Sequence, residues 1–303
     1  MAQRVLKRQV SHGQKLMSDS NSSTSRAWDA TKTRWMIFRI ALSERLAYRG
    51  DFVLGTLMRF LPIITQIFLW WAIFQSISPE DPNAGRLSGY SFQDMVAYYL
   101  LTMVGRAFSS MPGLSSSIAV KIRDGEIKKF LVQPVDLISF LFWSRVAHKV
   151  AYYTISTLPF ALVFFLCRSY FTLGWPDAST LVAFVASLFL SFAMGFYLEA
   201  CIGLVGFWML EVSSLLFVYM LFQFFLSGHM FPLDILPEPF LTIVGFLPIK
   251  YLAYFPAAVF LGKVHGTQLA IDMGMLVGWT VFFFVMSQVI YRRGLRRYSG
   301  YGG

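Results

Sequence analysis

The 303 residues are 56% hydrophobic and only 14% charged, whereas soluble domains carry about 25% charged side chains. With 31 Phe, 14 Met and 8 Trp there is more apolar side chain than one core of this size hides, which excludes an ordinary soluble protein and leaves a bilayer as solvent for the excess. The net charge of +10 then belongs to a membrane face or to an acidic partner, and its distribution along the chain decides between them.

Residues 1–34 are polar, Ser-rich and basic, with no apolar stretch of signal-peptide type. The run SDSNSSTS at 18–25 has too little apolar side chain to offset the entropy of ordering. The sequence predicts a disordered basic cytoplasmic tail over 1–27 and a membrane domain over 28–303. Residues 28–49 read as a helix that is not a span. At 100° per residue Trp35, Phe38, Leu42 and Leu46 fall within an arc of about 80°, with Arg39, Arg45 and Arg49 at or near its edges. Such a helix lies in the headgroup layer with its cations snorkelling. It serves as a basic anchor or as a docking element for a cytoplasmic partner, and the pattern suits both.

Apolar runs of about 20 residues, enough to cross about 30 Å of hydrocarbon as helix, follow at about 57–77, 92–114, 138–166, 179–200, 208–228 and 268–291. The fourth and fifth are divided at Glu199, Gly203, Gly206 and Glu211, because a single helix over 181–227 would exceed any membrane. The predicted fold class is an all-α integral membrane protein with six transmembrane helices and an N-terminal amphipathic helix. Lys and Arg number ten in residues 1–50, six in 117–149 and four after Tyr291, against only Arg86, Arg168, Lys250 and Lys263 in the alternate connections. Twenty against four places both termini and the second connection in the cytoplasm. The positive charge therefore lies along one membrane face, where anionic lipid is its partner, and no soluble basic module is left to bind nucleic acid.

The connection 115–136, SSSIAVKIRDGEIKKFLVQPVD, sets Lys121, Arg123, Asp124, Glu126, Lys128 and Lys129 around Gly125 and ends before Pro134. Mixed charge on short helical pieces fixed to two spans suits transmission of force from a soluble partner; a solvated loop obeying the positive-inside rule has the same composition. On the other side, residues 225–266 contain Pro232, Pro237, Pro239, Pro248 and Pro256. This segment is too apolar for an exposed loop and too interrupted for a span, so short helices embedded at the outer leaflet are expected.

Ionisable residues inside spans are functional candidates, at about 2.5 to 3.5 kcal/mol each near the bilayer centre. Arg59 lies near a span end, where it can snorkel. Arg106, followed by Ser109 and Ser110, either lines an inner cavity that accepts substrate or pairs with Glu199 or Glu211. Asp94 and Asp272 are expected near outer ends with incomplete burial. The Gly274 to Gly278 spacing permits close helix approach. His12, His148, His229 and His265 read as solvated or capping residues, and Cys167 and Cys201, each within an apolar run, as packing residues rather than a disulfide or zinc site. No G-x-x-x-x-G-K-[ST] occurs; Gly262-Lys263 lacks the upstream glycine. No metal site and no cofactor of the chain's own is read.

Taken with the basic amphipathic helix, the segments IRDGEIKKFLVQP, FLSG followed by FPLDILP, the later LP and FP pairs and the end RRGLRRYSGYGG make residues 30–303 resemble the six-span permease subunits of type-two ABC exporters. The resemblance implies a separate cytoplasmic ABC ATPase that carries the ATP and magnesium. It implies an interface to that ATPase over 35–49 (Trp35, Phe38, Arg39, Leu42, Arg45) and over 122–130 (Ile122, Arg123, Asp124, Gly125, Glu126, Ile127, Lys128, Lys129). A second permease subunit, identical or a sister chain, would complete the substrate path, and outer re-entrant helices with Gly228, Pro232, Pro237, Pro248 and Pro256 would close its exit. The family setting is the cell's inner membrane. Two other readings stand beside it: an intramembrane enzyme acting on lipid, for which Asp94, Glu199, Glu211 and Asp272 offer no cluster by spacing, and a non-transporting membrane scaffold.

Overall fold

A computed structural model describes residues 31–44, 49–76, 86–132, 135–172, 174–209 and 211–298. The expected tail over 1–27, together with Arg45 and Leu46, lies outside the described residues, as do the side chains of Arg49 and Arg59. The described chain is helical, its elements being α1 (31–44), α2 (Arg49–Ser76), α3 (Phe92–Ser109), α4 (Leu114–Arg123), α5 (Lys128–Val132), α6 (Leu137–Leu166), α7 (Ala178–Leu204), α8 (Ser213–Leu226), α9 (Glu238–Phe246), α10 (Tyr254–Phe260) and α11 (Gly266–Arg297). Among the described residues, three helical stretches are long and apolar enough to cross a membrane: Leu137–Leu166, Ala178–Phe207 and Gly266–Arg297. Leu61–Ser76 and Ser213–Leu226 are shorter apolar helices. The protein is a multi-pass membrane protein.

Two compact units divide the chain: Met1–Arg49 with Asp136–Thr154, and Gly50–Val135 with Ile155–Gly303. In the first, α1 half-buries Thr33, Ile37, Phe38, Ala41 and Leu42, while Trp35 is 64% exposed. The Trp35 ring stacks on that of Phe38 at 5.4 Å. Asp136 starts α6 by accepting the Ser139 N–H at 2.9 Å, an ordinary N-cap.

The second unit is organised by α7, which packs against α3, α4, α10 and α11. Close approach follows from its small residues: a Cβ on Gly203 would stand 2.7 Å from the Ser115 carbonyl and 2.9 Å from the Ile118 Cβ. Ser191 donates to the Tyr251 carbonyl at 2.6 Å. α3 opens on a reciprocal cap, with the Asp94 N–H on Ser91 Oγ at 3.1 Å and the Ser91 N–H on Asp94 Oδ2 at 3.0 Å. It buries 95–101 without a break, as a helix apolar all round must.

The run expected as a helix over 92–114 is cut. α3 ends at Ser109, Pro112 removes a donor, Gly113 adopts φ +69°, and α4 begins at Leu114. The proline-rich segment 225–266 forms α9, α10 and short 3-10 turns at Leu233–Ile235 and Pro248–Leu252, matching the expectation of short helices. Pro232, Pro237 and Pro248 stand just before or at the start of such pieces, while Pro239 and Pro256 sit in the first turns of α9 and α10, where the missing N–H has no helical partner to lose.

Candidate functional site

Three features of the second unit carry polar groups into otherwise apolar surroundings. The first is a hairpin between α4 and α5. Ile122 and Ile127 are buried and pin it from below, while Gly125 turns the chain at φ +78°. The Ile127 N–H closes the turn on the Lys121 carbonyl at 3.3 Å. The charges then face outward in adjacent pairs: Lys121 to Glu126 at 3.1 Å, Lys129 to Glu126 at 3.3 Å and Arg123 to Asp124 at 3.1 Å. Hydrogen bonds from Lys121 and then Lys129 hold the Glu126 carboxyl below the usual glutamate range. Val132, at the end of α5, is 86% exposed. A turn with buried isoleucines on one side and paired charges on the other is a rigid, partly apolar surface.

The second feature is a set of tyrosines that tie the segment after α8 to the start of α3. Tyr98 donates to the Gly228 carbonyl and Tyr99 to the Met230 carbonyl. Tyr90 and Tyr254 each donate to Asp234, at 2.6 Å, and the Trp70 indole N–H reaches Tyr99 at 2.5 Å. Gly228 is at φ +80°, and a Cβ there would meet the Tyr254 Cβ at 2.5 Å. Glycine is therefore required both by backbone conformation and by space. Pro232 and Pro237 flank the turn that presents Asp234, Pro248 opens the turn before α10, and Pro256 is buried within α10. Close by, Lys250 and Asp272 form a buried pair at 2.8 Å, their side chains 11% and 6% exposed. The Tyr251 hydroxyl and the Gln268 amide complete the shell of Asp272 at 3.1 and 2.9 Å. The expectation of incomplete burial holds for Asp94 but is corrected for Asp272: Lys250, 22 residues away, supplies the counter-charge that makes its burial tolerable.

The third is a cavity of about 670 Å³ lined from α2, α3, α6, α8 and the turn after α8. Arg106 and Ser110, both expected to line a substrate path, lie on it; so do Gln66, Thr102 and His229. Ser109, Glu199 and Glu211 are not among its lining residues. Ser109 is buried, Glu199 accepts from Ser115 Oγ at 3.1 Å, and Glu211 accepts from the Ser213 N–H at 3.1 Å at the start of α8. His229, read as solvated or capping, is placed by Ser227 Oγ at 3.0 Å and by an edge contact with Phe224 at 4.9 Å. Tyr90, Tyr98, Tyr99 and Tyr254 escaped the sequence reading altogether. A signal for them existed, since a tyrosine pair inside an apolar span needs acceptors, and the nearest carbonyls without helical partners lie in a Gly- and Pro-interrupted segment.

Among the described residues no group of three or more His, Cys, Asp or Glu is placed to hold a metal ion. Asp94, Glu199, Glu211 and Asp272 each serve a separate local structure. Comparison with known families finds a match over residues 60–302 to the family described as ABC-2 family transporter protein. No curated protein matches the chain.

Proposed function

Because this chain belongs to the ABC-2 family of transporter proteins, we propose that it is the permease subunit of an ATP-binding-cassette exporter. It forms the substrate path with a second permease subunit, identical or a sister chain, and is driven by a separate cytoplasmic ATPase that holds ATP and magnesium. In this reading α2, α3, α6, α7, α8 and α11 are the six spans, with both ends of the membrane domain on the cytoplasmic side of the inner membrane. The segment from Gly228 to Pro256 is an outer-leaflet re-entrant unit that closes the exit. Support for the orientation comes from the twenty Lys and Arg on one side against four on the other.

The observation that carries the proposal is the hairpin at 121–129. Its buried Ile122 and Ile127 fix it to the helices beneath, so a push on its charged face is delivered to α4 rather than absorbed by a loose loop. Trp35, Phe38, Arg39 and Leu42 of α1, with Arg45 next in the sequence after it, would offer a second basic and aromatic surface to the same ATPase. Closure of the ATPases on ATP then acts as a rigid-body displacement that shifts the permease between inward- and outward-open arrangements. The test is copurification of a coexpressed ABC ATPase with the chain. Charge reversal by Glu126→Lys is expected to reduce recovery of the ATPase severalfold while leaving the permease in the membrane. Undiminished recovery would sink the interface assignment.

A further inference from the structure

The geometry of the end of α11 points to a binding face for an anionic phospholipid, its phosphate among Arg292, Arg293 and Arg296 and its acyl chains along the apolar stripe that leads to them. At 100° per residue Val281, Phe282, Val285 and Val289 share an arc of about 120° with these three arginines, and Arg297 lies at its edge. All of these side chains are exposed. One continuous face therefore runs apolar along the span and turns cationic at its end. The opposite face holds that orientation. Tyr291 and Gly294 are buried, a Cβ on Gly294 would run into the Phe207 ring, and the Tyr298 ring meets Phe207 at 5.9 Å. The helix is thus seated on the turn at Val205–Phe207 and cannot rotate its arginines inward without opening a close-packed contact.

Depth along the helix selects a lipid as the occupant. At 1.5 Å per residue the apolar stretch 273–290 covers about 27 Å, nearly the whole hydrocarbon layer. Arg292 and Arg293 then stand at its boundary and Arg296 and Arg297 about 6 Å farther out, at the level of the lipid phosphates. The residue type agrees. All four positions are arginine, whose planar, permanently charged fork meets two phosphate oxygens at once. Arg292 and Arg296, one turn apart, are neighbours on the helix surface, so one phosphate can bridge both. None of the ion pairs found among the described residues uses these arginines. An acidic protein surface would match the charge but not the apolar stripe, and a neutral lipid the stripe but not the charge; an anionic phospholipid matches both. The inference goes beyond the permease reading and requires only that α11 cross a bilayer, while the leaflet that holds the lipid follows from the proposed orientation.

The experiment titrates the full chain in neutral detergent, with no ATPase present, against palmitoyl-oleoyl phosphatidylglycerol or the phosphatidylcholine of the same chains, and counts bound lipid by native mass spectrometry. The anionic lipid is expected to bind at least thirtyfold more tightly than the neutral one. Arg292→Gln with Arg296→Gln is expected to weaken phosphatidylglycerol by about tenfold to thirtyfold, from about fivefold for each cation beside an anionic surface, and to leave phosphatidylcholine unchanged. Lys128→Gln with Lys129→Gln, an equal loss of charge on the hairpin, is expected to alter neither by more than about twofold. Equal binding of the two lipids by the unaltered chain overturns the proposal without any mutant. So does an equal loss in both double variants, which would make the attraction one of general charge, and so does an arginine variant of parental thermal stability that binds phosphatidylglycerol as before. If that variant instead loses a coexpressed ATPase, the face belongs to the ATPase. A chain that prefers phosphatidylglycerol as predicted yet never retains an ATPase upholds the lipid face and overturns the permease reading.

Discussion

Replacing Lys250 by Met strands the carboxylate of Asp272 in the interior. The two side chains are nearly inaccessible, at 11% and 6%, and the Nζ to Oδ1 distance is 2.8 Å. After the change Asp272 keeps only the neutral donors of Tyr251 and Gln268. Breaking one side of a buried pair costs about 3 to 5 kcal/mol, whereas an exposed pair is worth at most about 1 kcal/mol. Adding Asp272→Asn removes the stranded charge and keeps an acceptor for Tyr251 or Gln268. The double variant is therefore expected to be more stable than Lys250→Met alone, by about 2 kcal/mol on the scale of coupled neighbours. Reversible unfolding of the purified chain in mixed micelles, titrated with a denaturing detergent and followed by tryptophan fluorescence, measures all four corners of the cycle. A cost below about 1 kcal/mol for Lys250→Met, or a double variant equal to the sum of the singles, would refute the assignment of a closed, interdependent pair.

Three further outcomes follow from local geometry. Gly228→Ala combines a left-handed backbone, at about 1 to 2 kcal/mol, with a Cβ 2.5 Å from that of Tyr254, so a loss of about 2 to 5 kcal/mol is expected in the same unfolding assay; parental stability would show that the turn is not held as described. Gly203→Ala drives a Cβ to 2.7 Å from the Ser115 carbonyl, whereas one on Gly274 meets nothing within 4 Å; the first is expected to cost about 1 to 3 kcal/mol and the second to leave the chain at or above parental stability, and the reverse order would place the tight packing on the wrong helix. Glu126 has its pKa lowered from the ordinary 4.5 by Lys121 and Lys129. Its pairing therefore contributes fully above that ordinary value and is lost as pH falls through the lowered one; the Glu126 carboxyl resonance in selectively labelled protein is expected to titrate below 4.5, and a midpoint at or above that value would contradict the pairing.

Long apolar runs bounded by charge fix helices closely, because a helix shorter than the hydrocarbon leaves backbone groups unsatisfied. The run expected at 138–166 is Leu137–Leu166, and that at 179–200 lies within Ala178–Leu204. The ends blur where one residue decides them. Gly113, at positive φ next to Pro112, splits what composition presents as a continuous stretch. The hairpin was legible as a charged segment, but its anchoring was not, since burial of Ile127 depends on what lies beneath it. The cavity was least legible: Arg106 and Ser110 stood out as polar residues in a span, whereas Gln66 and His229 join them only through folding of helices distant in sequence. Likewise Asp272 carries no local sign of Lys250, and Tyr90 none of Asp234. Local pattern reads what a segment is; which segments share a site depends on tertiary packing, and aromatic and charged side chains in lipid are where that packing shows.

The central claim, that a separate ATPase drives this chain through the 121–129 hairpin, is tested most directly by ATP hydrolysis. The complex of the chain with a coexpressed ABC ATPase would be reconstituted in liposomes and assayed alongside Asp124→Ala and Glu126→Ala. The account predicts that the complex hydrolyses ATP and that both substitutions lower the rate severalfold with the complex still assembled. Hydrolysis indifferent to both substitutions, or a chain that retains no ATPase, would contradict it.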